Sequence, residues 1–358
     1  MMPLHAVRDI LVFRALMLGD WLCATPALRA LRIAAPHARI VACGLPGTAE
    51  LARRLPTIDE FVEFPGHPEL PERHPGPGEF EAFVARMRAR RFDLALQMHG
   101  SGSIVNPLLA SLNARATVGF ATRDTVAGLA LAVAWPEHGT EIERCLVLTD
   151  AIGAAREGLG IDFPLLAADR EAAGRLLDEA GVHGRFAIVH PGSQWPSRRW
   201  PADRFAAVAD ALVDQGLDVV VTGIASERPL ASAVQAAARR PVVDLSGRTA
   251  TPWVLGALVD AAALVVSNDT GVSHVSAALA TPSVIVASGS EVHRWAPLDR
   301  RRHHVHWHAT PCRPCAHPVC PTAHECALGV TADAVIATAL DLLGETTPCP
   351  TPLAACAS

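Results

Sequence analysis

Short apolar, β-branched runs alternate along the chain with longer stretches in which apolar residues recur every three or four positions. That alternation predicts βα units, and repeated βα units predict parallel sheets covered by helices. In the first half the runs that read as strands are 10–14, 39–43, 60–64, 93–97 and 117–120, with helical patterns at 26–34, 48–55 and 79–91. The stretch 66–78 is rich in Pro and Gly and reads as an exposed loop. A long helix at 141–154 and a linker at 161–166 follow, and a helix at 168–181 opens the second half. There the expected strands are 186–190, 217–222, 242–244, 264–267 and 283–287, and the expected helices 203–215, 226–238, 252–261, 271–280 and 331–343. The pattern predicts two doubly wound α/β domains, 1–166 and 167–345, followed by a disordered Pro/Thr/Ala-rich tail at 346–358. Ligands of such domains bind at the carboxyl ends of the strands, here in a central cleft that the two domains face.

Composition narrows the classes. With 358 residues, half of them hydrophobic, the chain is long enough for two ordinary cores. A net charge of −5 gives no basic surface for nucleic acid, so none is expected as a partner. No apolar run reaches the ~18–20 residues a bilayer span needs. The N-terminal apolar stretch is interrupted by Arg14 and lacks a basic leader, so it reads as a first strand and not a signal peptide. The expected location is therefore cytoplasmic, with the nine cysteines reduced. Lys and Tyr are absent, and the only asparagines are Asn106, Asn113 and Asn268. A GC-rich genome accounts for this bias. Under it, Arg stands wherever a relative would use Lys, and an Asn such as Asn268 is marked out for a local role.

Three clusters carry candidate chemistry. Asp20 ends the loop 15–20 that follows the first strand, where a carboxylate faces bound substrate; a helix cap is the equally weighted structural role. Gly-x-Gly-x-x-Gly is absent from this turn, which counts against a dinucleotide-dependent dehydrogenase. The second cluster, from His190 to Pro201, combines Gly192, Ser193, Trp195, Arg198, Arg199 and Trp200 after an apolar strand. Gly192 permits close backbone approach, either arginine can grip a phosphate bidentately, and the two tryptophans can wall the site. In the third, a buried strand runs into Asn268-Asp269-Thr270-Gly271 at a helix start, an anion site by its free N–H groups, with His274 one turn further on.

Together these clusters resemble glycosyltransferase family 9, which includes the ADP-heptose:lipopolysaccharide heptosyltransferases. The resemblance rests on Leu18-Gly19-Asp20, the segment His190–Pro201, the segment Ser267–Pro282, Thr222-Gly223 with Glu227, and Leu245–Thr249, and it runs from about residue 10 to 343. It implies a GT-B fold of two Rossmann-like domains and inverting transfer from a nucleotide-sugar donor, ADP-heptose, with no cofactor required for catalysis. Carried over by position, Asp20 is the general base and Arg198 or Arg199 takes the place of a lysine on the donor diphosphate. Gly192 and Ser193 match phosphate-contacting positions, Glu227 the ribose contact, and Asp269, Thr270, Gly271 and His274 the donor-binding turn. The implied acceptor is a glycan or lipid-linked glycan such as the lipopolysaccharide core, with peripheral contact at the inner membrane. A protein or secondary-metabolite acceptor, a nucleotide-sugar epimerase and a non-catalytic sugar-nucleotide-binding protein are the alternatives. Arg123 and Arg144 are candidates for an acceptor phosphate, against the plainer reading of solvated surface arginines.

Near the C-terminus Cys312, Cys315, Cys320 and Cys326 stand among six histidines, a spacing compatible with a structural metal. Disulfides and unligated thiols are the competing readings.

Overall fold

The computed structural model describes residues 3–345, so the tail expected at 346–358 lies outside the described residues. The chain forms two compact units. One comprises the chain up to Pro164 together with His293–Trp295; the other comprises Leu165–Val292 and the chain after Trp295.

The first unit contains β1 (Asp9–Phe13), β2 (Arg39–Gly44), β3 (Glu60–Glu63), β4 (Leu94–Gln97), β5 (Ala116–Ala121) and β6 (Leu131–Ala134). They form one six-stranded parallel sheet in the order β3-β2-β1-β4-β5-β6. The second contains β7 (Phe186–His190), β8 (Asp218–Val221), β9 (Val243–Asp244), β10 (Leu264–Asn268), β11 (Ser283–Val286) and β12 (His303–His306). Its parallel sheet, β9-β8-β7-β10-β11-β12, repeats the same order. Both are Rossmann-like: winding reverses between β1 and β4 in one unit and between β7 and β10 in the other, which opens a crevice at the strand carboxyl ends. Central strands covered on both faces have no polar alternation. Hence Ile10, Leu11, Val12 and Phe13 are all fully buried, and β1 reads as one apolar run.

Two strands depart from the expected pattern. β6 and β12 are short edge strands, and a lone edge of four residues carries little periodicity. In β12 three of the four residues are histidines, which read as polar; His303 nonetheless turns inward and its Nδ1 lies 2.8 Å from Ser283 Oγ. The helix expected to begin at Pro26 begins a full two turns earlier and spans Leu18–Ala34. Proline inside a helix removes one N–H donor. Here the hydroxyl of Thr25 donates to the Leu22 carbonyl at 2.8 Å and supplies the missing bond. The loop 66–78 is folded back and only partly exposed. Leu70 is buried, and Gly66, at φ +110°, leaves no room for a side chain beside the Arg73 carbonyl.

Three buried histidines make stability depend on pH. Burial holds His99 and His303 at about 4, and lowers His190 as well. The folded state therefore keeps them neutral, whereas the unfolded chain protonates them near its ordinary value of 6.5. Stability is complete above about pH 6.5 and is lost as pH falls from there toward 4. His99 and His303 each contribute on the order of 3 kcal/mol. Thermal melts across this range should show Tm falling with acid, and His303→Gln should flatten the slope; an unchanged slope would exclude His303 from the linkage.

Candidate functional site

In the first unit, the carboxyl ends of β1 and β4 are tied together by one buried guanidinium. Arg14, 1% exposed, donates through Nε to the Asp20 carbonyl at 2.9 Å, through Nη1 to the Met98 carbonyl at 2.5 Å, and through Nη2 to Glu141 Oε1 at 2.7 Å. In the sequence Arg14 only interrupts an apolar run; once buried, its guanidinium must find partners, and these lie far along the chain. The second oxygen of Glu141 accepts from Arg294 Nε at 2.8 Å and lies 3.9 Å from Arg144. Burial alone would raise the Glu141 carboxyl; Arg14 and Arg294 overcome it and hold the group below the usual range.

Asp20 is not in a loop. It occupies the first turn of Leu18–Ala34, where Oδ2 accepts the Met17 N–H at 3.2 Å and Oδ1 lies 3.9 Å from Arg14. The capping role and a position at the sheet's carboxyl edge therefore coexist in one side chain. Beside it are two groups that sequence reasoning did not single out. His99, just past β4, is buried, with Nε2 3.7 Å from Glu72 and Nδ1 without a hydrogen-bond partner. Burial, and the proximity of Asp20, push Glu72 up. Asn106 holds the next loops in place by donating to the Phe120 and Thr125 carbonyls at 2.9 and 2.8 Å.

The two acceptor candidates separate. Arg123 is exposed in the turn after β5. Arg144 is not a solvated arginine: it is 4% exposed, donates to the Glu137 carbonyl at 3.2 Å and stacks over Trp135 at 5.1 Å. Its guanidinium braces the Glu141 cluster.

In the second unit the candidate residues converge on the carboxyl ends of β7, β8 and β10. Glu227 accepts the Ile224 N–H at 2.9 Å, and its carboxylate lies only 2.4 Å from where a Cβ on Gly192 would stand. Glycine at 192 is thus what lets the acid reach the β7 loop. Asn268 is the fastener: fully buried, it donates to the Pro191 carbonyl at 2.8 Å and accepts the Trp200 N–H at 2.9 Å. Arg199 spends two donors on the Ser193 carbonyl, at 3.0 and 2.8 Å. Arg198 instead donates once, to the Cys315 carbonyl at 2.8 Å, stacks over Trp195 at 5.6 Å, and leaves a buried Nε without a partner. Trp200 walls no site; its ring packs edge-on against Phe205 in the core and its indole donates to the Val330 carbonyl.

Thr270 precedes the helix Gly271–Ala278, whose first N–H groups have no partner within the helix. The Thr270 hydroxyl is itself unpartnered, no atom crowds Gly271, and the buried His274 follows one turn later. The Asp269 N–H is held by the Val286 carbonyl at 3.0 Å.

Cys312 is exposed, Cys315 and Cys320 are half-buried and Cys326 is buried, all as free thiols. Among the described residues no three His, Cys, Asp or Glu side chains are grouped so as to hold a metal ion. No helix among them is long and apolar enough to cross a membrane.

Two parallel six-stranded sheets of the same Rossmann-like order, one in each unit, define the GT-B fold. Residues 81–325 match the model of glycosyltransferase family 9 (heptosyltransferase), and the chain belongs to that family. It is 26% identical over 292 residues to lipopolysaccharide heptosyltransferase 3 of Escherichia coli K12, covering 78% of this chain and 82% of the relative. The solved family 9 glycosyltransferase of Veillonella parvula shares the fold at a TM-score of 0.80 and 20% identity, over 95% of this chain and 98% of that one. E. coli heptosyltransferase WaaC, solved with ADP, shares it at 0.63 and 17% identity, over 94% and 99%.

Glu141 provides the test of the buried cluster. Glu141→Gln keeps shape and an acceptor but leaves Arg14 and Arg294 short of a charge, which should cost about 3–5 kcal/mol in denaturant unfolding. A loss below about 1 kcal/mol would mean that Asp20 alone compensates Arg14.

Proposed function

We propose that the enzyme transfers a heptose from an ADP-sugar to a hydroxyl of a glycan acceptor, the lipopolysaccharide core, with inversion and without a catalytic metal. The observation that carries this reading is the convergence of Gly192, Ser193, Arg198, Glu227, Thr270 and Gly271 at one sheet edge, beside a helix start with free N–H groups. Such an edge suits a nucleoside diphosphate: a carboxylate for ribose hydroxyls, and cations with backbone N–H groups for phosphate oxygens. The adenine and heptose assignments draw support from the lipopolysaccharide heptosyltransferase relative and from the ADP held by WaaC. A lipid-linked acceptor implies peripheral contact with the membrane surface, and exposed Arg123 is the candidate for its phosphate.

Asp20 takes the proton of the acceptor hydroxyl as that oxygen attacks the anomeric carbon. The sugar–phosphate bond breaks on the opposite face, and the departing diphosphate gains negative charge. Arg198 and the N-terminus of Gly271–Ala278 stabilise that charge most in the transition state. Arg199, occupied by the Ser193 carbonyl, holds the loop.

Asp20→Asn keeps an acceptor for the Met17 N–H but cannot take a proton, so turnover should fall by roughly a hundredfold or more while ADP affinity stays within a few-fold. Equal loss of both would reduce Asp20 to a helix cap. In competition assays ADP should displace the donor better than UDP or GDP, and Glu227→Gln should weaken ADP and UDP alike. UDP or GDP binding as tightly as ADP would overturn the adenine assignment; activity lost in EDTA and restored by Mg²⁺ would overturn the metal-free mechanism.

A further inference from the structure

The segment 312–326 is bound to the site at several points. The Ser197 N–H donates to the Pro318 carbonyl at 3.0 Å, the Ser197 hydroxyl donates to the His317 carbonyl, and His324 Nε2 lies 2.9 Å from the Ser197 carbonyl. The Cys315 N–H donates to the Gly289 carbonyl at 2.7 Å, while Arg198 donates to the Cys315 carbonyl. Gly289, at φ +70°, makes this approach possible: a Cβ there would stand 2.9 Å from Cys315 Cβ and 3.8 Å from Arg198 Cδ.

The same segment delivers a second guanidinium to that place. Arg313 donates to the Ser290 carbonyl at 2.8 Å, to the His308 carbonyl at 3.0 Å and to the Ala287 carbonyl. Arg198 and Arg313 thus flank Gly289 from two sides, and neither forms an ion pair with a carboxylate among the described residues. β10 and β11 pair in register with Asn268 opposite Val286, so residues 269–271 and 287–290 are neighbouring loops. There Ser288 and Ser290, 1% and 3% exposed, carry hydroxyls without partners, as do Thr270 and the Nε of Arg198. Two cations held by neutral carbonyls and indole rings, among buried unpartnered hydroxyls, have no anion in contact to complete them. Electrostatics agree: burial lowers the Arg313 pKa, Cys326 opposes, Arg198 lowers it further and Asp269 opposes, so Arg198 and Asp269 each act on Arg313.

We propose that Arg313, carried by the cysteine-rich segment, is the second cation of the anion site formed with Arg198, Ser288 and Ser290, and that it binds the donor's diphosphate. This rests on the donor reading above and gives the segment its role. The cysteine loop is a frame that sets one guanidinium opposite another across Gly289.

Calorimetric titration of the full chain with ADP, adenosine and inorganic pyrophosphate tests it, using Arg313→Gln, which keeps amide donors for the carbonyls, and Arg313→Lys, which keeps the charge. Arg313→Gln should weaken ADP and pyrophosphate by about tenfold or more while adenosine stays within about twofold, and Arg313→Lys should recover part of the loss. Retained ADP and pyrophosphate affinity in Arg313→Gln overturns the proposal. So does equal weakening of adenosine and ADP, which marks a purely structural arginine, or a wild type that binds no pyrophosphate and no ADP. A wild type that binds pyrophosphate through Arg313 but does not bind ADP leaves the anion site standing and removes the nucleotide donor.

Discussion

Where a parallel strand ends, its last carbonyls lose their ladder partners, and inside a packed sheet edge water does not replace them. Each unit meets this constraint with polar side chains that reach across from a neighbouring element. Arg14 gathers the Asp20 and Met98 carbonyls, Asn106 the Phe120 and Thr125 carbonyls, and Asn268 the Pro191 carbonyl. Arg199 holds Ser193, and Arg313 holds Ala287 and Ser290. Arginine suits the task because its fork presents five donors in fixed directions, and this chain has no lysine to compete for it. The loops past the strand ends of both sheets are held in place by these contacts.

One topology serves opposite electrostatics. At the edge of the first sheet buried Arg14 holds Glu141 and lies beside Asp20, so carboxylates gather there around cations. At the edge of the second, Arg198 and Arg313 stand without carboxylate partners beside a helix N-terminus, as suits a multiply charged anion. Strand order does not determine either choice. The difference is written in a few residues just past β1, β4, β7, β10 and β11, where a change of side chain alters charge without disturbing a ladder.

Legibility in the sequence followed the same division. Buried central strands were plain because continuous β-branched runs admit few other readings. The edges β6 and β12 were hidden, one by its brevity and the other by histidines whose inward member pairs with Ser283. Pro26 misplaced a helix start because the rule that proline opens helices is only statistical, and Thr25 lifts the penalty here. Asn268 was picked out by its scarcity and proved to be a fastener. The roles of Arg14, Arg144 and Arg313 were illegible in another sense. Whether an arginine is solvated or buried depends on which carbonyls and carboxylates the fold brings to it, and those lie far away in sequence.

The contact between Arg198 and Trp195 has an optical side. The chain contains seven tryptophans and no tyrosine, so its near-ultraviolet emission comes from indole alone. Trp200 and Trp253 are sequestered in the core, whereas Trp195 is only half-buried, with a guanidinium over its ring at 5.6 Å. An anion that draws on Arg198 changes the field across that ring. The protein therefore carries a built-in fluorophore beside Arg198, and occupancy of the phosphate site proposed there is readable without a label.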